Sequence, residues 1–232
     1  PEVLDQSFET MRTLLENNVG VQFVSKGIIP DRFLDLFARN PGLVSGQIGI
    51  CTLDQAITDI LEPAAAPNST RLEQLVSLAD AGIEVSARAD PLIHGVTDTE
   101  ALLRPFLAAI RATGVKHLSV SYLFLRPAIR SSLARNISDS ALRKTILVPY
   151  SSPASLRLRG GDNLGHPLPA DVRRASFERI RGMAHEFGLT LHVCGCKNAD
   201  LTDQRCNLTQ LTVAGREHLQ TQRAIAQGSL WS

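Results

Sequence analysis

Short runs rich in β-branched and apolar residues alternate along this chain with longer stretches that carry apolar residues at helical spacing. The runs Val21–Ser25, Gln47–Thr52, Glu84–Arg88, His117–Tyr122 and Leu189–Cys194 read as strands, each bounded by turn residues. Helical periodicity covers Ser7–Asn17, Arg32–Asn40, Leu53–Leu61, Thr70–Ala81, Thr99–Thr113 and Ala170–Phe187. Pro30-Asp31, Ser69-Thr70 and Asp98 supply caps or a first-turn proline at helix entries. Gly82, Gly114 and Gly188 each close a helix just before a strand, as a left-handed cap requires. The strands read as nearly continuous in apolar residues, which predicts a parallel sheet covered by helices.

Alternation of this kind builds βα units, either in an open doubly wound sheet or in a barrel. No G-x-G-x-x-G follows any strand, so a dinucleotide-type fold lacks its usual mark. The expected fold class is therefore α/β, a partial parallel (β/α) barrel, with five strands against the eight of a closed one. Residues 1–144 form the expected barrel core. Residues 145–232 hold a basic loop, the last βα unit with a cysteine cluster, and a helix after Gly215. The stretch from Arg159 to Pro169 is a loop by composition.

Composition agrees with a folded globule: 44% of the 232 residues are hydrophobic and 20% charged. No run approaches the roughly 20 apolar residues of a membrane helix, and the start lacks a signal pattern, so a cytoplasmic location and no membrane partner are expected. The net charge of +1 hides a segregation. Residues 1–100 carry 15 acids against 6 bases, whereas residues 126–181 carry 11 bases against 4 acids. Such a basic stretch can face nucleic acid or another polyanion, or can be a solvated helix surface.

In a parallel barrel the loops after the strands build the site. Those positions hold Ser25-Lys26-Gly27, Cys51-Thr52, Arg88-Ala-Asp90-Pro91, Ser121-Tyr122 and Cys194-Gly-Cys196. Lys26 and Arg88 at one mouth would suit a carboxylate or phosphate; alternatively each pairs with Asp90, Glu62 or a solvent-facing acid. Cys194, Cys196 and Cys206 offer three thiolates within reach of one ion. They would suit zinc with His192 or His185 as a fourth ligand, or an iron–sulfur cluster with one open position. The alternative is three unligated cysteines. Cys51 reads as a small buried hydrophobe, and Glu62 with Arg71 as a buried tether between two helices.

The segment order Phe23-Val-Ser-Lys-Gly27, Ile48-Gly-Ile-Cys-Thr-Leu-Asp54, Leu61-Glu-Pro63, Arg71-Leu-Glu-Gln-Leu75 and Ala81-Gly-Ile-Glu-Val-Ser-Ala-Arg-Ala-Asp-Pro-Leu-Ile93 resembles radical S-adenosylmethionine enzymes of the spore photoproduct lyase type. The resemblance covers roughly residues 18–135. It implies a partial (β/α)6 barrel and S-adenosylmethionine bound to an open iron of a 4Fe-4S cluster. It also implies reductive cleavage to a 5′-deoxyadenosyl radical, and an electron donor protein. Lys26 matches the strand-end lysine expected to meet the methionyl carboxylate, with Arg88 as a second candidate and Ser25 and Tyr122 beside them. Gly49 stands where relatives often carry a serine. The C-x3-C-x2-C cluster loop of the family does not occur in the chain. It is expected upstream of Pro1, unless the chain is a relative that has lost radical chemistry, and the C-terminal cysteines could then hold at most an auxiliary cluster or zinc.

Three readings follow. The first is the core of a radical S-adenosylmethionine lyase that abstracts hydrogen, with nucleic acid as a candidate substrate. The second is a non-catalytic, metal-stabilised module binding a polyanion. The third is a barrel binding a small anion through Lys26 and Arg88.

Overall fold

The computed structural model describes residues 2–151, 155–157 and 164–202. Five strands form one parallel sheet: β1 (Val21–Ser25), β2 (Val44–Gly49), β3 (Glu84–Leu92), β4 (His117–Tyr122) and β7 (Thr190–Val193). The helices are α1 (Glu2–Glu16), α2 (Asp31–Ala38), α3 (Gln55–Leu61), α4 (Asn68–Asp80), α5 (Glu100–Ala112), α6 (Pro127–Asn136), α7 (Ser140–Leu147) and α8 (Ala170–Glu186). A two-stranded antiparallel pair, β5 (Leu156–Arg157) with β6 (Leu164–Gly165), stands apart from the sheet.

Spatial order along the sheet, β1-β2-β3-β4-β7, follows chain order with no reversal. A doubly wound sheet must reverse to place helices on both faces. Winding one way with right-handed crossovers instead puts the helices on one face and curves the other into a trough. The expected α/β partial barrel is thus the fold observed.

The strand faces record that asymmetry and correct the expectation of continuous apolar strands. Ile48, Ile50, Ala87, Ala89, Leu118 and Val120 are buried in one core with Phe37 of α2, Leu75 and Leu78 of α4, Phe106, Leu107 and Ile110 of α5, and Phe177 and Ile180 of α8. The alternate positions are polar: Ser45 and Gln47 in β2, Ser86, Arg88 and Asp90 in β3, Ser119 and Ser121 in β4. Period-two alternation is what a strand with helices on only one side needs.

Helix boundaries depart from the sequence reading in detail. At the exits, Gly82, Gly114 and Gly188 take φ of +75°, +84° and +69°. Ile83 N–H then closes onto Leu78 O at 3.0 Å and Leu189 N–H onto Ala184 O at 2.9 Å, so the left-handed caps hold. At the entries, α4 starts at Asn68 after Pro67, and Thr99 holds the N-cap position of α5 without a side-chain cap bond. Asp98 is spent elsewhere, as described below.

Helices α6 and α7 escaped the periodicity reading. Helix α6 has no fully buried residue and turns only Ile129 and Leu133 inward, one turn apart. An apolar stripe that narrow gives little signal. Past it, His166 and Leu125 exchange both backbone hydrogen bonds at 2.9 Å, returning the excursion to the end of β4. Strand β7 pairs with β4, so the last βα unit continues the sheet. The tail after Gly215, read as a helix, lies outside the described residues.

Candidate functional site

The C-terminal ends of β1, β2 and β3 bring together residues distant in sequence. Lys26 follows β1 and Gly49 ends β2, while Arg88 and Asp90 lie on β3, two apart and hence on one face. Lys26 Nζ donates to Glu62 Oε1 at 2.5 Å and to the main-chain carbonyl of Asp90 at 2.9 Å. Arg88 Nη2 donates to Asp90 Oδ2 at 2.5 Å, and its Nη1 to Gln47 Oε1 at 2.8 Å. Lys197, in the turn after β7, donates to Asp90 Oδ1 at 2.6 Å. Arg71 Nη1 bonds both Glu62 Oε2 and Gly49 O at 2.8 Å.

Lys26, Arg71, Arg88 and Lys197 therefore share two carboxylates, Glu62 and Asp90, and the rim keeps an excess of two positive charges. Lys26 and Arg88 do share one mouth, and each also finds the acidic partner foreseen for it. The Glu62–Arg71 tether between α3 and α4 is formed as expected, with Arg71 completely buried. Burial alone would raise the Glu62 carboxyl, but hydrogen bonds and charge from Lys26 and Arg71 outweigh it and hold the group below the usual range.

Gly49 has a steric role here. A Cβ at that position would lie 2.6 Å from Lys26 Cγ and 2.8 Å from Cε. The lysine stem crosses the strand where a side chain would stand. Cys51, two residues on, is buried with its thiol 3.6 Å from Glu62 Oε1. Burial, with the carboxylates nearby, pushes that thiol up to about 12, so it is a neutral wall of the site.

Two expected residues sit differently. Ser25 Oγ accepts from Gly27 N–H at 3.1 Å, closing its own turn. Tyr122 points to the helix layer, its ring 5.3 Å from that of Phe177. Its hydroxyl donates to Asp98 Oδ2 at 2.7 Å, and burial together with that carboxylate raises its pKa. Asp98 also accepts from Gly95 N–H at 2.7 Å and lies 3.0 Å from His94 Nδ1. This explains why it does not cap α5 with its side chain.

Lys197 and Asn198 are the rim residues that the sequence did not bring to the site; Asp90 was foreseen there as a partner for Lys26 or Arg88. Arg173, 2% exposed on α8, donates to Leu168 O at 2.8 Å and Asn198 Oδ1 at 2.9 Å. Its other contacts, at 3.0 and 2.5 Å, go to the Asp200 carboxylate. Asn198 donates in turn to Cys194 O at 2.8 Å. The clamp fixes the turn after β7 and thereby aims Lys197 at Asp90. The i, i+2 spacing of Arg88 and Asp90 was a legible signal; a contact 107 residues away was not.

Cys194 is disulfide-bonded, with its sulfur 3.8 Å from Arg88 Nη2, whereas Cys51 and Cys196 are free. Cys206 lies outside the described residues. Among the described residues, no group of three His, Cys, Asp or Glu side chains could hold a metal ion. The chemistry of the rim, cations in excess over carboxylates, suits an anionic group such as a carboxylate; no described set of thiolates fits a 4Fe-4S cluster. No helix among the described residues is long and apolar enough to cross a membrane.

No protein-family model matches the sequence. ORF301, an uncharacterized protein of Acidianus two-tailed virus, is 31% identical over 93 residues, spanning 38% of this chain and 31% of that protein. Spore photoproduct lyase complexed with dinucleoside spore photoproduct superposes with a TM-score of 0.55 at 17% identity, over 75% of this chain and 50% of that one. A variant of the lyase with bound AdoMet and the same dinucleoside gives 0.55 at 14% identity, over the same shares. A domain of pyruvate-formate lyase-activating enzyme from Bacteroides vulgatus gives 0.53 at 12% identity, over 82% of this chain and 91% of that domain. The chain thus spans about half the length of the lyase and a third of the viral protein. What it has in common with the solved structures is the fold, a parallel five-stranded partial barrel resembling that of the radical S-adenosylmethionine enzymes.

Proposed function

We propose that this chain is the S-adenosylmethionine-binding part of a radical enzyme of the spore photoproduct lyase type, with its cluster ligands supplied by a segment outside the described residues. The observation that carries the reading is the rim itself. Lys26, just after β1, and Arg88, midway along β3, are joined through Asp90 and retain an excess of positive charge. Lys26, with Arg88 as second contact, would hold the methionyl carboxylate; Ser25 shapes the turn that carries the lysine. S-adenosylmethionine held there would supply hydrogen-abstraction chemistry, given a 4Fe-4S cluster ligated from outside the described residues and an electron donor protein. The chain's own residues bind and orient: Glu62 and Asp90 hold the cations in place, and Cys51 stays a neutral wall. Nucleic acid is the proposed substrate class, on the strength of the dinucleoside bound by the lyase and of the basic segment.

The test is anaerobic reconstitution of the full-length protein with iron and sulfide, followed by S-adenosylmethionine and a reductant. The expected result is 5′-deoxyadenosine formation, with Lys26→Met weakening cofactor binding roughly 10- to 100-fold, as for loss of a charge-assisted hydrogen bond. No cluster and no cofactor cleavage would discard the reading.

A second reading is supported by one observation: Arg126, Arg135, Lys144, Arg174 and Arg181 are all exposed. It is a polyanion-binding module stabilised by zinc or an auxiliary cluster on Cys194, Cys196 and Cys206, which would require the Cys194 disulfide to open. It expects binding to single-stranded DNA that falls steeply with salt, and zinc in the purified protein.

A further inference from the structure

We infer that the cavity beside Lys26 is a binding site for a small monoanion with a ring-sized apolar body, such as an aromatic carboxylate. The inference uses the same lysine as the cofactor reading but does not depend on that reading.

The cavity measures about 210 Å³ and lies above the ends of β2, β3 and β4. Its walls are Leu61 of α3, Pro91 near the end of β3, Ile93 just after that strand, Leu123 after β4, and Ile129 and Leu133 of α6. A dry apolar cavity of about 150 Å³ accommodates a benzene ring, so a ring fits this one. The polar groups on its lining are largely satisfied by the chain itself. Thr58 Oγ1 donates to Asp54 O at 3.0 Å, Thr97 Oγ1 accepts from Ile93 N–H at 2.8 Å, and Thr52 Oγ1 accepts from Asp54 N–H at 3.1 Å. The Cys51 thiol is neutral.

Lys26 is the exception. An ammonium has three donors; Glu62 Oε1 and Asp90 O take two of them, and the side chain remains 31% exposed. The local charge balance also favours an anion. Glu62 is shared by Lys26 and Arg71, so this end of the cavity carries one net positive charge. An apolar box closed at one end by a cation with a spare donor selects for a hydrophobic body ending in a single negative group.

The experiment titrates the full chain with phenylacetate, phenylacetamide and acetate by calorimetry, alongside S-adenosylmethionine. Phenylacetate is expected to bind, the neutral amide and the bodiless acetate at least tenfold more weakly. Lys26→Met should lose phenylacetate through the anchor. Leu133→Trp, a half-buried position on α6, should lose it by filling the cavity, yet leave S-adenosylmethionine binding unchanged. Equal binding of the amide, unchanged phenylacetate binding in Leu133→Trp, or no phenylacetate binding would each overturn the inference. Phenylacetate binding without any S-adenosylmethionine binding would sink the cofactor reading alone.

Discussion

Lys26 donates through Nζ to the backbone carbonyl of Asp90 at 2.9 Å, across 64 residues of sequence. The Asp90 carboxylate meanwhile holds Arg88 at 2.5 Å and Lys197 at 2.6 Å. One residue at the end of β3 thus gathers cations from β1, from β3 itself and from the turn after β7. Its side chain is only 5% exposed, so its charge is stabilised by those partners rather than by water.

Replacing Asp90 with Asn keeps the volume and removes the charge, leaving two clustered cations without their carboxylate. The expected loss is about 3 kcal/mol, the lower end for breaking a buried pair because both cations retain some solvent. Urea denaturation at pH 7 measures it. A variant as stable as the parent would show that the rim holds its shape without Asp90.

Gly49→Ala tests the crossing of the lysine stem. The added Cβ competes with Lys26 Cγ for the same space, and a flexible side chain yields more readily than the strand does. Thermal stability should change little, while affinity for a carboxylate ligand falls by roughly tenfold, in step with Lys26→Met. Full affinity in Gly49→Ala would mean that the lysine binds from another rotamer.

Glu62 gives the protein an acid-sensitive increment of stability. Its folded carboxyl is held below the ordinary range by Lys26 and Arg71, against the opposing effect of burial. The increment is therefore fully present above the unfolded value of about 4.3 and is lost as pH falls toward the lowered folded value. Glu62→Gln should destabilise the protein at pH 7, and the gap between variant and parent should shrink as pH falls below the unfolded value of about 4.3. A gap constant with pH would mean that the carboxylate is not the stabilising form.

The two free cysteines among the described residues should react differently. Cys51 is buried and its thiol is raised to about 12, leaving roughly one molecule in ten thousand as thiolate at pH 8. Cys196 is half-buried. Iodoacetamide followed by mass spectrometry should label Cys196 first and leave Cys51 unmodified until the protein unfolds. Early labelling of Cys51 would show that the β2 end opens.

Arg173→Met removes the clamp on the turn after β7. Asn198 and Asp200 lose their shared partner, and the cost should approach that of breaking a buried ion pair, about 3 kcal/mol. Hydrogen exchange should accelerate over residues 194–202 while β2 and β3 stay protected. Unchanged protection there would locate the anchor of the turn elsewhere.

The sequence by itself determined the units of this fold. Val21–Ser25 and His117–Tyr122 were bounded correctly from local pattern, and Gly82, Gly114 and Gly188 marked helix ends because each takes a left-handed conformation. It also placed Lys26 and Glu62 at element ends, since such positions depend only on where a strand or helix stops; Arg88, read as the end of its strand, lies midway along β3, which runs on to Leu92. Tertiary structure decided what those ends do. Whether helices cover one face or both depends on strand order, and with one face uncovered β3 and β4 alternate apolar with polar residues. The convergence of Lys197 and Lys26 on Asp90 depends on contacts 107 and 64 residues long. Tyr122 went to the helix layer because a strand alternates its side chains, and the parity of one residue decides between site and core.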